Sequence, residues 1–299
     1  MSALVDLSND LARAVERAAR AVVAVHGRPE LASTGVHWRP GVLVTADHTV
    51  TAEEEITVAT PDGRTVPARL VGRDATTDLA VLRAEGLDLP VAELAEPAVL
   101  RVGHLVLAVG YGPRVSWGVV SALGRGGRAA PAGDRDQILQ LDLTLYPGFS
   151  GGPLVDVEGR VVGLNTSGRS RSFRGAIPAA VVARVVDEIV ARGRVSRGYL
   201  GVALQPVHLP EETRRALPVA GEFGLIVVSV EPGGPAASAG LVLGDVLVAL
   251  DEQALREPGD VQAAVASRPV GATVAATLLR GGAPRSIAVT VGERPTRRR

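Results

Sequence analysis

The sequence predicts a mainly β protein built in two units. Short apolar runs of β type recur at close spacing along most of the chain, separated by turn residues. Gly 35 and Pro 20 supply more backbone punctuation than a helical bundle accommodates. The length of 299 residues fits about two domains of ~150 residues each. With 46% hydrophobic and 21% charged residues, each unit has the apolar mass to bury a core without staples.

In chain order, Ser8 is a candidate cap for a short helix with Leu11, Val15 and Ala18 on one face. Ala21-Val22-Val23-Ala24-Val25 follows as a strand. Further runs are Gly41–Val44, Glu55–Val58, Leu79–Leu82 and Leu105–Val109, and Pro61-Asp62-Gly63 forms a hairpin turn. Ile138–Leu145 and Arg160–Leu164 continue the pattern of an all-β barrel or sandwich. Pro178 then opens a helix whose broad apolar face holds Val181, Val182, Val185, Val186, Ile189 and Val190. These elements define a first domain at 1–192. Residues 193–198 are polar and Gly-rich and read as a linker. Strands return over 199–292, with helical pieces near Pro235–Ala239 and Gly259–Ala266. Residues 293–299 form a basic tail expected to be disordered.

Composition narrows the chemistry. The chain has no Cys, so thiol nucleophiles, disulfides and thiolate metal sites are excluded. It has no Lys, so Schiff bases, Ser–Lys dyads and lysine P-loops are excluded as well. Formal net charge is zero, which argues against a nucleic-acid partner. No apolar stretch is long enough for a membrane span. Charges at Asp6, Asp10, Arg13, Glu16, Arg17 and Arg20 interrupt any signal-like apolar core, so the sequence as it stands predicts a cytoplasmic chain. A chain preceded by a leader would belong in the cell envelope.

Gly148-Phe149-Ser150-Gly151-Gly152-Pro153-Leu154 is the most informative segment. A nucleophilic serine needs a tight turn that exposes its Oγ and gathers backbone N–H groups around the substrate oxygen. Flanking glycines permit that turn, although an ordinary Gly-rich turn fits the same residues. Among the five histidines, His48 follows a β run and is the candidate base. His26, His37, His104 and His208 read as surface or satisfied core residues. Asp78 precedes an apolar strand and is the candidate orienting carboxylate, with a plain turn residue as the other reading.

The segments around His48, Asp78 and Ser150 resemble the trypsin-like serine proteases of the HtrA/DegP family. The order is His, Asp, Ser, with spacings of 30 and 72 residues. Leu100–Gly103, Val106–Gly110, Gly118–Arg125, Gly163–Thr166 and Gly175–Pro178 fit the family as well, so the resemblance covers roughly residues 5–192. It implies a chymotrypsin-like double β-barrel in which Ser150 is nucleophile, His48 general base and Asp78 its orienter. The implied oxyanion hole is the N–H groups of Gly148 and Ser150, and no cofactor or metal is implied. The implied S1 pocket is Thr144, Leu145, Gly175, Ala176 and Ile177. With no carboxylate at Thr144, it fits small or medium aliphatic side chains. Phe149 and Tyr146 stand where the family usually has Asn, and Leu141 replaces the common Thr beside Asp142.

A second resemblance begins at Tyr199-Leu200-Gly201-Val202, which is similar to the carboxylate-binding loop of HtrA-type PDZ domains. Val230–Leu241 and Gly244–Leu247 continue it, and it covers about residues 196–292. It implies that peptide C-termini bind by strand addition. The function implied by the two resemblances is endoproteolysis of unfolded or misfolded proteins with PDZ recruitment. The alternative is an inert, chaperone-like binding protein whose nucleophile turn is disturbed by Phe149 and Tyr146. The family also implies a possible homotrimer. This chain has no aromatic residue before Trp38, so a three-fold contact falls to Leu4, Leu7, Leu11 and Val15, which serve equally to pack the helix on its own barrel.

Overall fold

Continuous apolar runs need a buried surface on both faces of a strand, and the structure provides it. The computed structural model describes residues 2–29, 31–52, 55–96, 100–123, 138–167, 175–195, 198–215, 217, 221–266 and 268–293. They divide into two units, one ending at Val195 and the other beginning at Gly198. The expected tail lies outside the described residues apart from Glu293.

In the first unit, β1 (Val22–His26), β2 (Ser33–Arg39), β3 (Val42–Ala46), β4 (Ile56–Ala59), β5 (Thr65–Asp74) and β6 (Leu79–Arg83) close a barrel in the order β1-β2-β3-β6-β5-β4. A second barrel has the order β10-β11-β12-β9-β8-β7. Its strands are β7 (Leu105–Gly110), β8 (Arg114–Leu123), β9 (Leu139–Asp142), β10 (Pro153–Val155), β11 (Val161–Thr166) and β12 (Gly175–Pro178). Alternate side chains divide between two jobs. Leu43, Ala80 and Leu82 fill the first barrel, while Val42, Val44, Leu79 and Val81 point to a cluster shared with the second. On β7, Val106 and Ala108 fill the second barrel, and Leu107 and Val109 join the shared cluster.

Helix α1 (Ala3–Ala19) begins five residues ahead of the expected cap. Ser2 is its N-cap residue, and Ser8 lies within the helix. Ala14 and Ala18 are buried and Leu11 and Val15 pack on the shared cluster, whereas Leu4 is 76% and Leu7 43% exposed. Helix α2 (Ala179–Arg192) buries Val182, Val185, Val186 and Ile189 as its pattern requires. Pro178 is its N-cap residue rather than its first turn, because its carbonyl side still belongs to β12; Val190 is exposed. At the other end Gly193 is left-handed, and its N–H donates to the Ile189 carbonyl at 2.7 Å. Among the described residues no helix is long and apolar enough to cross a membrane.

The second unit holds β13 (Gly198–Tyr199), β14 (Val202–His208), β15 (Phe223–Val230), β16 (Val246–Leu250), β17 (Gln253–Ala254), β18 (Thr273–Arg280), β19 (Ala283–Thr290) and β20 (Gly292–Glu293). The main sheet runs β14-β15-β16-β18-β19, so β14 is an edge strand, and β13 pairs with β20. Helices α3 (Glu211–Arg215), α4 (Pro235–Ser238) and α5 (Pro258–Ala266) complete it. Leu225, Leu247, Leu250, Val261 and Val265 are central to the core.

One ion pair stands out in this unit. Asp245 is 1% exposed, and its two carboxylate oxygens accept hydrogen bonds from Arg280 Nε and Nη2, both at 2.8 Å. The Val242 N–H donates a third at 2.9 Å, and Arg280 Nη2 also reaches the Gly240 carbonyl. The Arg280 hydrogen bonds hold the Asp245 carboxyl below the usual carboxylate range, with the Val242 N–H and the Arg280 charge adding to the effect against burial. A lowered folded value stabilises the fold above the unfolded carboxylate value near ~3.9 and loses that contribution as pH falls through the folded value. Asp245→Asn is expected to destabilise the second unit by on the order of 2 kcal/mol at neutral pH, since it breaks a buried pair whose arginine is partly solvated. It should also flatten the loss of stability below pH ~4. Urea melts of both proteins across pH check this.

Candidate active site

Three backbone features bring His48 and Asp78 together. His48 sits on a 3₁₀ turn, Asp47–Thr49, directly after β3. The turn is pinned by the buried Thr49 hydroxyl, which donates to the Ala46 carbonyl at 2.7 Å. Asp78 precedes β6 with a φ of 60°, an unusual conformation for a residue with a side chain. Its carbonyl accepts from the Asp47 N–H at 3.1 Å. β3 and β6 are paired neighbours, so the two residues meet at the end of one ladder.

The Asp78 carboxylate is buried and fully engaged. Oδ1 accepts from the His48 backbone N–H at 2.9 Å, and His48 Nδ1 lies 2.8 Å from Oδ2 and 3.0 Å from Oδ1. The Thr166 hydroxyl donates to Oδ2. A carboxylate partner places the proton of a neutral imidazole on Nδ1 and leaves Nε2 as an acceptor. The arrangement therefore presents an imidazole whose tautomer and ring plane are both set and whose Nε2 can accept a proton.

Ser150 stands on the loop between β9 and β10. Gly148 has a φ of 89° and Gly151 one of 85°, so the turn needs glycine at both places. At Gly151 a Cβ would lie 2.2 Å from the Thr34 carbonyl oxygen and from Thr45 Oγ1. Within the loop, Phe149 N–H donates to the Tyr146 carbonyl, Gly151 N–H to the Asn165 carbonyl and Gly152 N–H to the Phe149 carbonyl. The N–H groups of Gly148 and Ser150 have no hydrogen-bond partner among the described residues. Two unoccupied donors on alternate residues beside a serine hydroxyl can hold an oxyanion.

The Ser150 hydroxyl lies 2.9 Å from the exposed Ser167 hydroxyl. Among the described residues it makes no hydrogen bond to His48. Consecutive residues at the end of β11 thus touch both halves of the site: Thr166, its last residue, bonds Asp78, and Ser167 bonds Ser150.

The other sequence candidates are distributed as follows. Gly175 faces Thr166 and Ala176 faces Asn165 across the β11–β12 ladder. Ile177 is buried in the shared cluster, Ala176 in the second barrel, and Leu145 packs partly against that barrel. Thr144 is exposed, and its N–H donates to Ser116 Oγ at 3.2 Å. Phe149 is fully buried inside the second barrel, with the Tyr146 ring edge-on at 5.6 Å, so it fills core rather than cleft. Of the remaining histidines, His37 is buried and uses both ring nitrogens, one toward the Pro90 carbonyl and one accepting the Gly41 N–H. Among the described residues no group of three or more His, Asp or Glu side chains forms a metal-binding cluster.

In the second unit Leu200 is buried and Gly201 has a φ of 80°. The Leu200 and Gly201 carbonyls accept from Ala236 and Glu231 N–H, both at 2.8 Å. The Leu200 and Gly201 N–H groups have no partner among the described residues. Tyr199 belongs to β13, and Val202 begins the edge strand β14.

The two barrels, with a serine loop on one and a His–Asp pair on the other, define a trypsin-like peptidase unit. Residues 33–164 match the trypsin-like peptidase domain family, and residues 198–291 match the PDZ domain family. The solved structure of the HtrA-type protease AlgW with a decapeptide is 31% identical, covers 96% of this chain and 99% of its own, and superposes with a TM-score of 0.80. The serine endoprotease from Yersinia pestis is 32% identical, covering 95% and 98%, with a TM-score of 0.79. A probable periplasmic serine endoprotease DegP-like of Brucella suis is 36% identical over 282 residues, covering 90% of this chain and 54% of the relative. Its counterpart in Rhizobium meliloti is 37% identical over 266 residues, covering 86% and 52%. The chain belongs to the HtrA/DegP family of serine proteases. It spans about half the length of the curated relatives it matches. Those relatives are named as periplasmic, and none of these findings supports the expectation of a cytoplasmic chain.

Thr34, Thr166 and Ser167 also contact the site and were not singled out from the sequence. Gly163–Thr166 fits the family pattern, but only the fold shows that Thr166 reaches a carboxylate 88 residues away. The geometry predicts a protected His48 Nδ1–H, visible as a far-downfield proton resonance in the wild-type protein. Asp78→Ala should abolish that resonance and lower the melting temperature, because it strips the acceptor from the His48 N–H and the Thr166 hydroxyl, and one-dimensional proton NMR with a thermal melt checks both.

Proposed function

We propose that this chain is a serine endopeptidase acting on unfolded or misfolded polypeptides, with Ser150, His48 and Asp78 as its catalytic residues. The observation that carries this reading is the pair Thr166–Ser167, which ties the buried Asp78–His48 couple and the Ser150 hydroxyl to adjacent positions of one strand end. In acylation the Ser150 oxygen attacks the scissile carbonyl carbon while its proton passes to His48 Nε2. The carbonyl π electrons move onto oxygen, and the Gly148 and Ser150 N–H groups stabilise that oxyanion. When the tetrahedral species collapses, the C–N bond breaks and His48 returns the proton to the leaving amine. Water repeats the sequence on the acyl-enzyme. Asp78 stays ionised and stabilises the imidazolium.

The S1 pocket is assigned to Thr144, Leu145, Gly175, Ala176 and Ile177, and it selects small or medium aliphatic residues. Such selectivity is loose, because one methylene in a pocket is worth only ~1–3 kcal/mol. The domains are assigned to 1–192 and 199–292. Within the joint, Val195 still packs on the first core and Gly198 already pairs with Glu293. In the second domain a peptide C-terminus adds to the edge of β14, with its carboxylate on the Tyr199–Val202 loop. The Leu200 and Gly201 N–H groups, without a partner among the described residues, support this, and the similar AlgW was solved with a decapeptide. The periplasmic relatives support a cell-envelope setting. Leu4 and Leu7, exposed on α1, are the residues assigned to any three-fold contact.

A fluorophosphonate probe and an unfolded protein substrate test the reading together. The wild type should be labelled and should cleave, and Ser150→Ala should abolish labelling and lower turnover by roughly 10⁶. A folded wild type that is never labelled would establish the inert binding protein instead. In the resting site the Ser150 hydroxyl bonds Ser167 and, among the described residues, not His48. Ser167→Ala is therefore expected to raise the labelling rate about 2–10-fold, the worth of one net hydrogen bond. An unchanged or lower rate would show that the Ser167 contact does not restrain the nucleophile.

A further inference from the structure

We infer that Thr34, on the first barrel, is a positioning residue for the oxyanion hole on the second. The inference rests on the reading of Ser150 as nucleophile. Thr34 is completely buried on β2 and spends every polar group at the barrel seam. Its hydroxyl donates to the Gly148 carbonyl at 2.6 Å and accepts the Tyr111 N–H at 3.1 Å. Its N–H donates to the Ser150 carbonyl at 3.2 Å, and its own carbonyl accepts the Thr45 hydroxyl at 2.7 Å.

The consequence follows from taking the loop one peptide group at a time. The 148–149 peptide is held at both ends, by Thr34 Oγ1 on its carbonyl and by the Tyr146 carbonyl on its N–H. The 150–151 peptide is likewise held at both ends, by the Thr34 N–H on its carbonyl and by the Asn165 carbonyl on its N–H. The peptides before each of these, 147–148 and 149–150, are the ones whose N–H groups have no partner among the described residues. Thr34 thus grips the two satisfied peptides that bracket the 149–150 peptide. Rotation of either would swing a free N–H away from the oxyanion. A donor misdirected in this way stabilises the transition state poorly and leaves substrate binding nearly untouched. Because the grip comes from the barrel that carries His48, it also sets the nucleophile loop against the base.

Thr34→Val keeps shape and removes the hydroxyl, and Thr34→Ser keeps the hydroxyl. Steady-state cleavage of a peptide substrate and fluorophosphonate labelling are measured for both, with thermal melts as the folding control. Thr34→Val is expected to lower kcat about 10–100-fold with KM changed less than about 2-fold, below the ~10²–10³ cost of deleting an oxyanion donor outright. Thr34→Ser is expected to stay within about 3-fold of wild type, the rescue that separates the hydroxyl from mere packing. A folded Thr34→Val protein with wild-type kcat overturns the inference alone, since the wild type would still be labelled at Ser150. If wild type itself is never labelled, the nucleophile assignment fails and the inference goes with it. Should Thr34→Val not fold, Thr34→Ala takes its place with the same expected loss. If neither folds, Thr34 holds the barrels together rather than the loop, and the positioning role is overturned.

Discussion

The barrel seam is the constraint on which the site depends. A Ser–His–Asp constellation has to hold its geometry to a fraction of an ångström if it is to react, yet His48 and Asp78 come from one barrel and Ser150 from the other. Neither barrel alone fixes their separation. The shared cluster does, because Val44, Leu79 and Val81 from the first barrel interlock with Leu107, Val109 and Leu164 from the second. Close-packed interiors resist compression, so side chains at the rim inherit a fixed frame. Helix α2 closes the cluster with Val182, Val185, Val186 and Ile189, which gives a helix remote from the chemistry a part in maintaining it.

Against that frame the polar groups at the rim are accounted for almost one by one. A buried carboxylate is costly unless its oxygens are occupied, and Asp78 has donors from His48 and Thr166. Those bonds fix the His48 imidazole in one tautomer. The strained φ of Asp78 is tolerated because its carbonyl, its carboxylate and the β6 ladder all hold it there. Over residues 148–152 of the serine loop the same accounting leaves the Gly148 and Ser150 N–H groups over among the described residues. Unoccupied donors beside a serine hydroxyl are what an oxyanion site requires before substrate arrives.

Much of this was legible in the sequence, and what was not has physical causes. Runs such as Leu79–Leu82 announce strands because both faces are buried, and the helix from Ala179 follows its own periodicity. Strands β5 and β8 carry charges and exposed positions on one side, so they lack that signal and were read only through their turns or family pattern. Helix α3 is a single charged turn with no buried residue, which leaves nothing for an apolar pattern to show. Ser8 resembled a cap because local sequence cannot tell an N-cap serine from one inside a helix that starts earlier. His48, Asp78 and Ser150 stand out through recognisable motifs. Thr34 and Thr166 do not, since a threonine bonded across 114 or 88 residues has no local signature.

Phe149 shows how a departure from a family pattern can be absorbed. The ring does not crowd the cleft; it points into the second barrel, where Gly110 leaves room that a Cβ there would remove, with contacts at 2.8 Å. Arg114 covers the ring at 5.7 Å from its centroid, and Arg114 Nη1 reaches the Pro147 carbonyl at 3.5 Å. The loop is therefore anchored from inside its own barrel by an aromatic side chain and from the opposite barrel by Thr34. A polar side chain before Ser150 would have to find hydrogen-bond partners in that interior, whereas Phe needs only volume. Phe149 gives the loop an apolar anchor on the core side. The residue at 149 thus meets the core through its side chain, while the backbone of the same loop faces the other way with its Gly148 and Ser150 N–H groups unpartnered among the described residues.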